Sequence, residues 1–565
     1  MSKKIVVIGG VAGGMSAAVR SRRLDEKADI VVLERGPYVS FSNCCLPYHL
    51  SGEIEESCTL VLMTPHELQT QYNIDVRVKN EAIDIDREAK TVLIKNLETG
   101  EEYTEDYDYV ILSPGAKAVD FPIPGLDTVP NFFLRTVPDA AGIHDTIKEK
   151  NIKDIVVMGG GFIGIEATEN LRLAGLNVTL VEAAEQVLLQ YDEDMIQLIH
   201  KELYDQGVNL KLNTRLEKIE DNKAYLSNGE TVPCELLVKA AGVVPVSDLA
   251  EKAGLKLTED KYIDVDQNYI TSDPSIYAIG DAIKVTSRLA GDKIGLAMAG
   301  PALKQARFVA DHICGIPTVN TGYIGSACIK VFDWNAAVTG LTERRLKELG
   351  KTNYDYAFVI PKDMVGIMSG SNSQFLKVIF EIPTGRILGA QAVGKGDVVK
   401  RVDVIAGMLK FQPTLFDLKD LELCYAPPFS IARDSVNFAG YVGLNLLNGV
   451  YRHVHVSDVR SLVEQKAYII DVREPDEFDL GHIKGAVNLP LSQLRERMDE
   501  VPKDQPVYLH CRSSQRSYNA LLALQQSGWD NIYNIAGSML GLSYYEYFKD
   551  QTTDRESILT EYNFN

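Results

Sequence analysis

Two cysteines stand in patterns that can make a thiol react. Cys44 sits in Ser40-Phe41-Ser42-Asn43-Cys44-Cys45-Leu46-Pro47-Tyr48, about thirty residues after a glycine-rich turn. A dinucleotide bound at that turn would place its reactive ring near this stretch. No second cysteine follows four or five positions on. Chemistry at Cys44 must therefore finish with a sulfur borrowed from elsewhere. The second pattern is Cys511-Arg512-Ser513-Ser514-Gln515-Arg516-Ser517, after the strand-like run Pro506 to His510 and before a helix. A cysteine, four residues and an arginine at such a junction make an anion cradle. Backbone N–H groups turn inward around the sulfur, and the helix dipole adds to them. Both patterns need a thiolate, because the neutral thiol attacks sulfur poorly.

The elements that position Cys44 lie ahead of it. Lys4 to Ile8 is an apolar run of strand length, followed by Gly9-Gly10-Val11-Ala12-Gly13-Gly14, a helical stretch from Met15 to Leu24, and a second strand from Asp29 to Leu33 ending at Glu34. This is a βαβ unit whose turn lets backbone approach a pyrophosphate, with Glu34 placed to accept from a ribose hydroxyl. Val11 replaces the middle glycine of the usual fingerprint. The unit recurs: a strand from Asp154 to Met158, Gly159-Gly160-Gly161-Phe162-Ile163-Gly164, a helix through Leu173, and a strand from Asn177 to Val181 ending at Glu182. An acid there suits an unphosphorylated ribose and repels a 2′-phosphate, which favours NADH over NADPH. Two dinucleotide sites on one chain point to electron transfer between two cofactors.

Two further segments are strands ending in tight turns: Tyr107-Asp108-Tyr109-Val110-Ile111-Leu112-Ser113-Pro114-Gly115-Ala116, and Thr271 to Asp281 with Gly280-Asp281 at its end. With the two glycine turns, they resemble the two-dinucleotide disulfide oxidoreductase flavoproteins over about the first 445 residues. The resemblance implies a glutathione-reductase-like α/β fold. Its FAD-binding domain would span 1–119 and 246–322, with an NAD(H)-binding domain at 120–245 inserted within it. An α+β dimerisation domain would follow at 323–447. It further implies FAD contacts at Gly9, Ala12, Gly13, Gly14, Glu34, Arg35, Ser113, Gly115, Gly280 and Asp281, and NAD contacts at Gly159, Gly161, Gly164 and Glu182.

Within that family, Ser-Phe-x-Asn-Cys-x-Leu-Pro-Tyr resembles the coenzyme A disulfide reductase and persulfide reductase branch. Cys44 takes the redox position, with Ser40 and Asn43 as substrate contacts and Cys45 as a packing residue. Leu423-Cys424-Tyr425-Ala426-Pro427-Pro428-Phe429-Ser430 resembles the branch's dimerisation-domain motif, which implies that Tyr425 reaches the partner subunit's active site. The alternative is a turn tyrosine beside two prolines. One departure stands out. Where the branch has a second tyrosine, this chain reads Ile367-Met368-Ser369-Gly370, which moves the expected substrate from coenzyme A disulfide toward a persulfide.

The chain restarts after a junction at 448–456, read as a linker. Ala467 to Ile470 leads into Asp471-Val472-Arg473-Glu474, and Gly481-His482-Ile483 follows. With the Cys511 loop, these segments resemble a rhodanese domain, expected at 457–560. The resemblance makes Cys511 the persulfide carrier and Arg516 the residue that closes the loop. Arg512 adds positive charge for a phosphorylated thiol. A cysteine phosphatase loop is the rival, but is one residue longer. His482 reads as a structural residue rather than a base.

Composition agrees with a large multidomain protein: 565 residues exceed one ordinary core. No run of eighteen apolar residues suggests a membrane span. The apolar start, Met1 to Val19, is interrupted by glycines and reads as structure, not as a targeting segment. A net charge of −20 argues against nucleic acid as a partner, although Arg20, Arg22 and Arg23 could hold a small phosphorylated ligand. The eight cysteines show no metal-ligand spacing, so no metal is expected, and they suit a reducing cytoplasm.

Together these readings give a cytoplasmic, homodimeric, FAD-dependent coenzyme A persulfide or disulfide reductase using NADH, or less readily NADPH. A rhodanese domain carries its sulfane sulfur, and coenzyme A is substrate or bound ligand. Two alternatives stand beside it. One is a water-forming NADH oxidase working through a cysteine sulfenate. The other is a redox sensor without turnover. A stand-alone sulfurtransferase would leave both cofactor sites unused.

Overall fold

Strands buried on both faces must be apolar through their buried length. Residues 5–8 of the strand Lys4–Ile8 and 30–33 of the strand Asp29–Glu34 meet that condition. The computed structural model describes residues 3–564. In it the two strands pair in parallel, Ile5 opposite Ile30, in a sheet ordered Ile276–Ala278, Tyr109–Leu112, Lys4–Ile8, Asp29–Glu34 and Asp75–Val78. A second parallel sheet sets Asn177–Val181, Asp154–Met158, Leu236–Lys239 and Asn131–Phe133 side by side. The second sheet is drawn from chain lying between the last two strands of the first, so one unit is inserted into the other.

The chain divides into two compact units, one running through residue 184 and including 211–323, the other comprising 185–210 and the chain from 324 onward. In the second unit an antiparallel sheet runs Ser326–Val331, Trp334–Gly340, Ile387–Gly394, Gln374–Glu381 and Tyr354–Val359. A five-stranded parallel sheet follows, ordered Arg452–Val454, Ile532–Ile535, Val507–His510, Tyr468–Asp471 and Val487–Asn488. Its last helix, Ser538–Thr552, lays Tyr544 against Trp334 and Phe375 of the antiparallel sheet, with ring centroids 5.5 and 5.1 Å apart. The stretch 448–456, expected as a linker, contains the edge strand Arg452–Val454 and begins the helix Val456–Glu464. It is part of the C-terminal fold because its backbone completes the sheet beside Ile532–Ile535. Among the described residues no helix is long and apolar enough to cross a membrane.

One buried cation anchors the second unit. Lys377 lies in the strand Gln374–Glu381 with no exposure. Its Nζ donates to both carboxylate oxygens of Asp194 at 2.8 and 2.9 Å and to Glu343 at 2.5 Å, and stands 3.2 Å from Asp192. The Tyr356 ring caps it at 3.8 Å. Removing such a cation strands its buried carboxylates. Lys377→Met is expected to destabilise this unit by roughly 3–5 kcal/mol. Denaturant unfolding checks it, and an unchanged midpoint would refute the assignment.

Candidate active site

The first glycine turn is shaped by close backbone approach. Gly9 has φ +103°, and a Cβ there would lie 2.1 Å from the Ser113 carbonyl oxygen. A Cβ on Gly14 would lie 1.8 Å from the Gly9 oxygen, so helix Ala12–Leu24 can pack this tightly on its strand only with glycine there. The helix starts with no side-chain cap and no acid in its first turn. Its N–H groups and dipole are thus available to an anion. Glu34 accepts from Gly10 N–H at 2.9 Å and Gly36 N–H at 2.7 Å, which fixes its carboxylate at the rim of the turn. A cavity of about 300 Å³ beside it is lined by Gly9, Glu34, Arg35, Ala82, Pro114 and Leu249. These features fit the adenosine and pyrophosphate of an FAD.

The second turn repeats the design. A Cβ on Gly164 would stand 1.8 Å from the Gly159 oxygen, and helix Phe162–Leu173 begins at Gly161 with no cap and no acid in its first turn. Glu182 accepts from Gly160 N–H at 2.6 Å and Ala184 N–H at 2.7 Å.

Cys44 is tied to the first turn through backbone. Ser40, at φ +48°, donates its N–H to the Gly10 oxygen at 2.8 Å, and its own oxygen accepts from Leu62. The chain then enters the single 3-10 turn Asn43–Cys45 and the short helix Leu46–Leu50. Cys44 is solvent-accessible on one side. On the other, burial pushes its thiol up, and the carboxylates of Glu166 and Asp281 push in the same direction. Burial lifts Glu166 to about 7, aided by Glu169, and Tyr48 nearby to about 12. Burial also raises Asp281, which Arg135 opposes. Gly280, at φ +77°, donates its N–H to the Gln305 side chain at 2.6 Å. Sequence reading missed Glu166, Arg135 and Gln305. Glu166 lies two residues beyond the last glycine of the second turn, a signal that was available.

The basic residues of the first helix divide. Arg22 spends its guanidinium on the carbonyls of Tyr72, Asp25, Glu26 and Asn73. Arg20 is paired with Asp311 at 2.7 Å. Arg22 offers no free cation to a ligand, whereas Arg20 is paired through Nε alone. Arg23 is exposed beside the Tyr72 ring.

In the second unit Cys511, Arg512 and Arg516 come together in one loop. Cys511 is 1 % exposed, its N–H donates to Ser538 Oγ at 3.2 Å, and Ser517 Oγ donates to its sulfur at 3.6 Å. Ser514, at φ +74°, turns the chain into helix Gln515–Gln526. Arg516 forms a bidentate pair with Glu477 at 2.5 and 2.7 Å, which holds its guanidinium firmly charged. Glu477 is a further residue the sequence did not disclose. Beneath the loop, Asp471 receives Arg473 at 2.6 Å and stands 3.5 Å from His510, all three buried. His482 stacks on Phe478 at 3.8 Å and its Nδ1 lies 2.9 Å from that residue's carbonyl oxygen, a structural role. Tyr425 is half exposed in the turn before Ala426–Phe429.

Two dinucleotide turns, one of them beside a single cysteine, define a two-cofactor oxidoreductase acting on sulfur. Residues 3–305 match the pyridine nucleotide-disulphide oxidoreductase family, 326–435 match its dimerisation domain, and 455–543 match a rhodanese-like domain. The chain belongs to the pyridine nucleotide-disulphide oxidoreductase family, whose members are flavin-dependent. It is 33 % identical over 439 residues to the coenzyme A disulfide reductase of Staphylococcus aureus strain JH9, covering 78 % of this chain and 99 % of that one. The reduced CoADR-RHD structure of Bacillus anthracis superposes with a TM-score of 0.94 at 41 % identity, covering 97 % of this chain and 98 % of that one. The NAD-dependent persulfide reductase of A. fulgidus follows with a TM-score of 0.90 at 35 % identity, covering 96 % and 100 %.

Because the Glu166 carboxylate pushes the Cys44 thiol up, removing its charge should let the thiolate form at lower pH. Glu166→Gln is expected to shift the pH profile of Cys44 alkylation downward, with the largest difference above pH about 7, where Glu166 is ionised. Mass spectrometry of the labelled peptide reads this. A profile that stays put or moves upward contradicts the coupling.

Proposed function

We propose that this protein is an NADH-dependent reductase of coenzyme A persulfide, which also accepts coenzyme A disulfide, with a rhodanese domain that carries sulfane sulfur. The observation that carries the reading is the pairing on one chain of a lone thiol at Cys44, tied to a dinucleotide turn, with a second thiol in the Cys511 anion loop. Bound FAD supplies two-electron transfer between nicotinamide and sulfur. It is held by the turn Gly9–Gly14, Glu34, Ser113, Gly115 and Asp281. The nicotinamide cofactor is held at Gly159, Gly161 and Gly164. Glu182, fixed by two backbone N–H groups, disfavours the 2′-phosphate of NADPH.

The sulfur steps follow from the thiol. The Cys44 thiolate attacks the inner sulfur of coenzyme A persulfide. A mixed disulfide forms between Cys44 and coenzyme A, the S–S bond of the persulfide breaks, and hydrosulfide leaves. Two electrons and a proton then restore the Cys44 thiolate and release coenzyme A thiol. Ser40 holds the loop in register, and Asn43 faces the substrate. Tyr425 of the partner subunit in a homodimer donates to the departing sulfur. At the second site the Cys511 thiolate attacks the outer sulfur of a donor such as thiosulfate; the donor's S–S bond breaks, sulfite leaves, and the Cys511 persulfide is stabilised by Ser517 and the loop N–H groups. The coenzyme A thiolate, whose phosphates Arg512 attracts, then attacks the outer sulfur, forming coenzyme A persulfide and releasing the Cys511 thiolate. A reducing cytoplasm suits both thiols. The rhodanese domain favours this reading over a water-forming oxidase, which has no use for a sulfur carrier.

Cys44→Ser is expected to abolish NADH-dependent sulfide release from coenzyme A persulfide; retained turnover would sink the mechanism. Cys511→Ser should keep flavin reduction by NADH while losing sulfur transfer from thiosulfate or polysulfide. Initial rates with coenzyme A persulfide, coenzyme A disulfide, polysulfide and oxygen should rank the persulfide first. Oxygen consumption outpacing sulfide output would instead favour the oxidase.

A further inference from the structure

We propose a binding site for one zinc-class divalent cation at Asp355, His453 and His455, which neither the cofactor turns nor the sulfur chemistry uses. His453 lies in the edge strand Arg452–Val454 of the C-terminal sheet, and His455 follows two positions on. That spacing puts both imidazoles on one face of extended chain. Asp355 comes from Tyr354–Val359, the edge strand of the antiparallel sheet. The three ligand atoms therefore meet where two sheet edges from different domains face each other.

The distances are those of an ion pair and also fit a coordination site. Asp355 Oδ1 is 3.1 Å from His453 Nε2 and 3.5 Å from His455 Nε2, and all three ligand atoms lie within 4.8 Å of one another. Ligands about 2.0 Å from a tetrahedral metal are separated by about 3.3 Å. The observed pair distances bracket that value. Two nitrogens and one carboxylate oxygen suit Zn²⁺, with water completing the set.

The two histidine rings stand together, with centroids 4.5 Å apart. Binding requires each ring to be neutral and to offer its Nε2 lone pair. Tyr356 stacks on His455 at 3.9 Å and fixes its plane. A cavity of about 450 Å³, lined by Asp355, His455, Tyr354 and Glu343 among others, gives access and room for the water ligand. Lys347 and Lys351 also border it. The site therefore selects a metal that binds imidazole by coordination, rather than a hard cation held by charge.

The experiment uses the flavoprotein as purified, dialysed against Zn²⁺ and then against metal-free buffer, with bound metal counted by elemental analysis. One Zn²⁺ per chain is expected, and thermal unfolding should shift upward with Zn²⁺. His453→Gln with His455→Gln should lose both effects while keeping NADH-dependent sulfide release, which shows that the variant folds. Asp355→Asn should weaken Zn²⁺ binding by roughly tenfold or more. Cys511→Ser should keep the metal. Co²⁺, read at wavelengths beyond the flavin bands, should give tetrahedral absorption in the wild type only. Absence of bound metal, its persistence in the double-histidine variant, or its loss in Cys511→Ser each overturns the proposal.

Discussion

A sulfur anion has to form at Cys44 in a place where the chain's own charges oppose it. Burial, Glu166 and Asp281 all push the thiol up. Arg135, close enough to act on Asp281, opposes that residue's upward shift. Activation of the thiol then draws on what is bound beside it and on oriented backbone. This makes the two uncapped helix starts and the glycine approaches at Gly9, Gly14, Gly159 and Gly164 more than cofactor cradles. They fix where the electron-transferring ring sits, and hence whether Cys44 is ever reactive. Glu166, lifted to about 7 by burial and Glu169, adjusts this balance as it ionises.

The second sulfur site solves the same problem in the opposite way. The Cys511 loop places Arg512 and Arg516 around the sulfur, with Glu477 orienting Arg516 and Ser517 contacting the thiol. Beneath it the buried set of Asp471, Arg473 and His510 holds the end of the strand Val507–His510. Positive charge is built into this loop, whereas at Cys44 it is withheld. The two thiols therefore suit different halves of sulfur chemistry, one reductive and one transferring.

Much of this was legible in the sequence because it is local. The glycine turns, the terminal acids Glu34 and Glu182, the Cys44 segment and the Cys511 loop each span a few consecutive residues, and backbone geometry follows from them. What was not legible depends on chain pieces that meet only after folding. Glu477 reaches Arg516 from 39 residues away, and Asp355 meets His453 from 98 away. Lys377 gathers carboxylates from Asp192, Asp194 and Glu343, and no spacing rule marks a lysine as buried. The strand Arg452–Val454 escaped because an edge strand carrying arginine and histidine lacks the apolar alternation by which strands are read. Arg22 of the first helix was not legible for the same reason: composition gives charge, but not whether a carbonyl has already taken it.

The unequal exposure of the two sulfurs has a consequence for lifetimes. Cys44 faces solvent, whereas Cys511 is 1 % exposed beneath its loop. Persulfides decay by collision with other thiols, which attack the outer sulfur. At Cys511 such encounters are limited by the width of the loop mouth rather than by the abundance of small thiols in the surrounding medium. In the proposed role, a sulfur atom held at Cys511 would outlast one left in solution, so supply and reduction would not need to be synchronised.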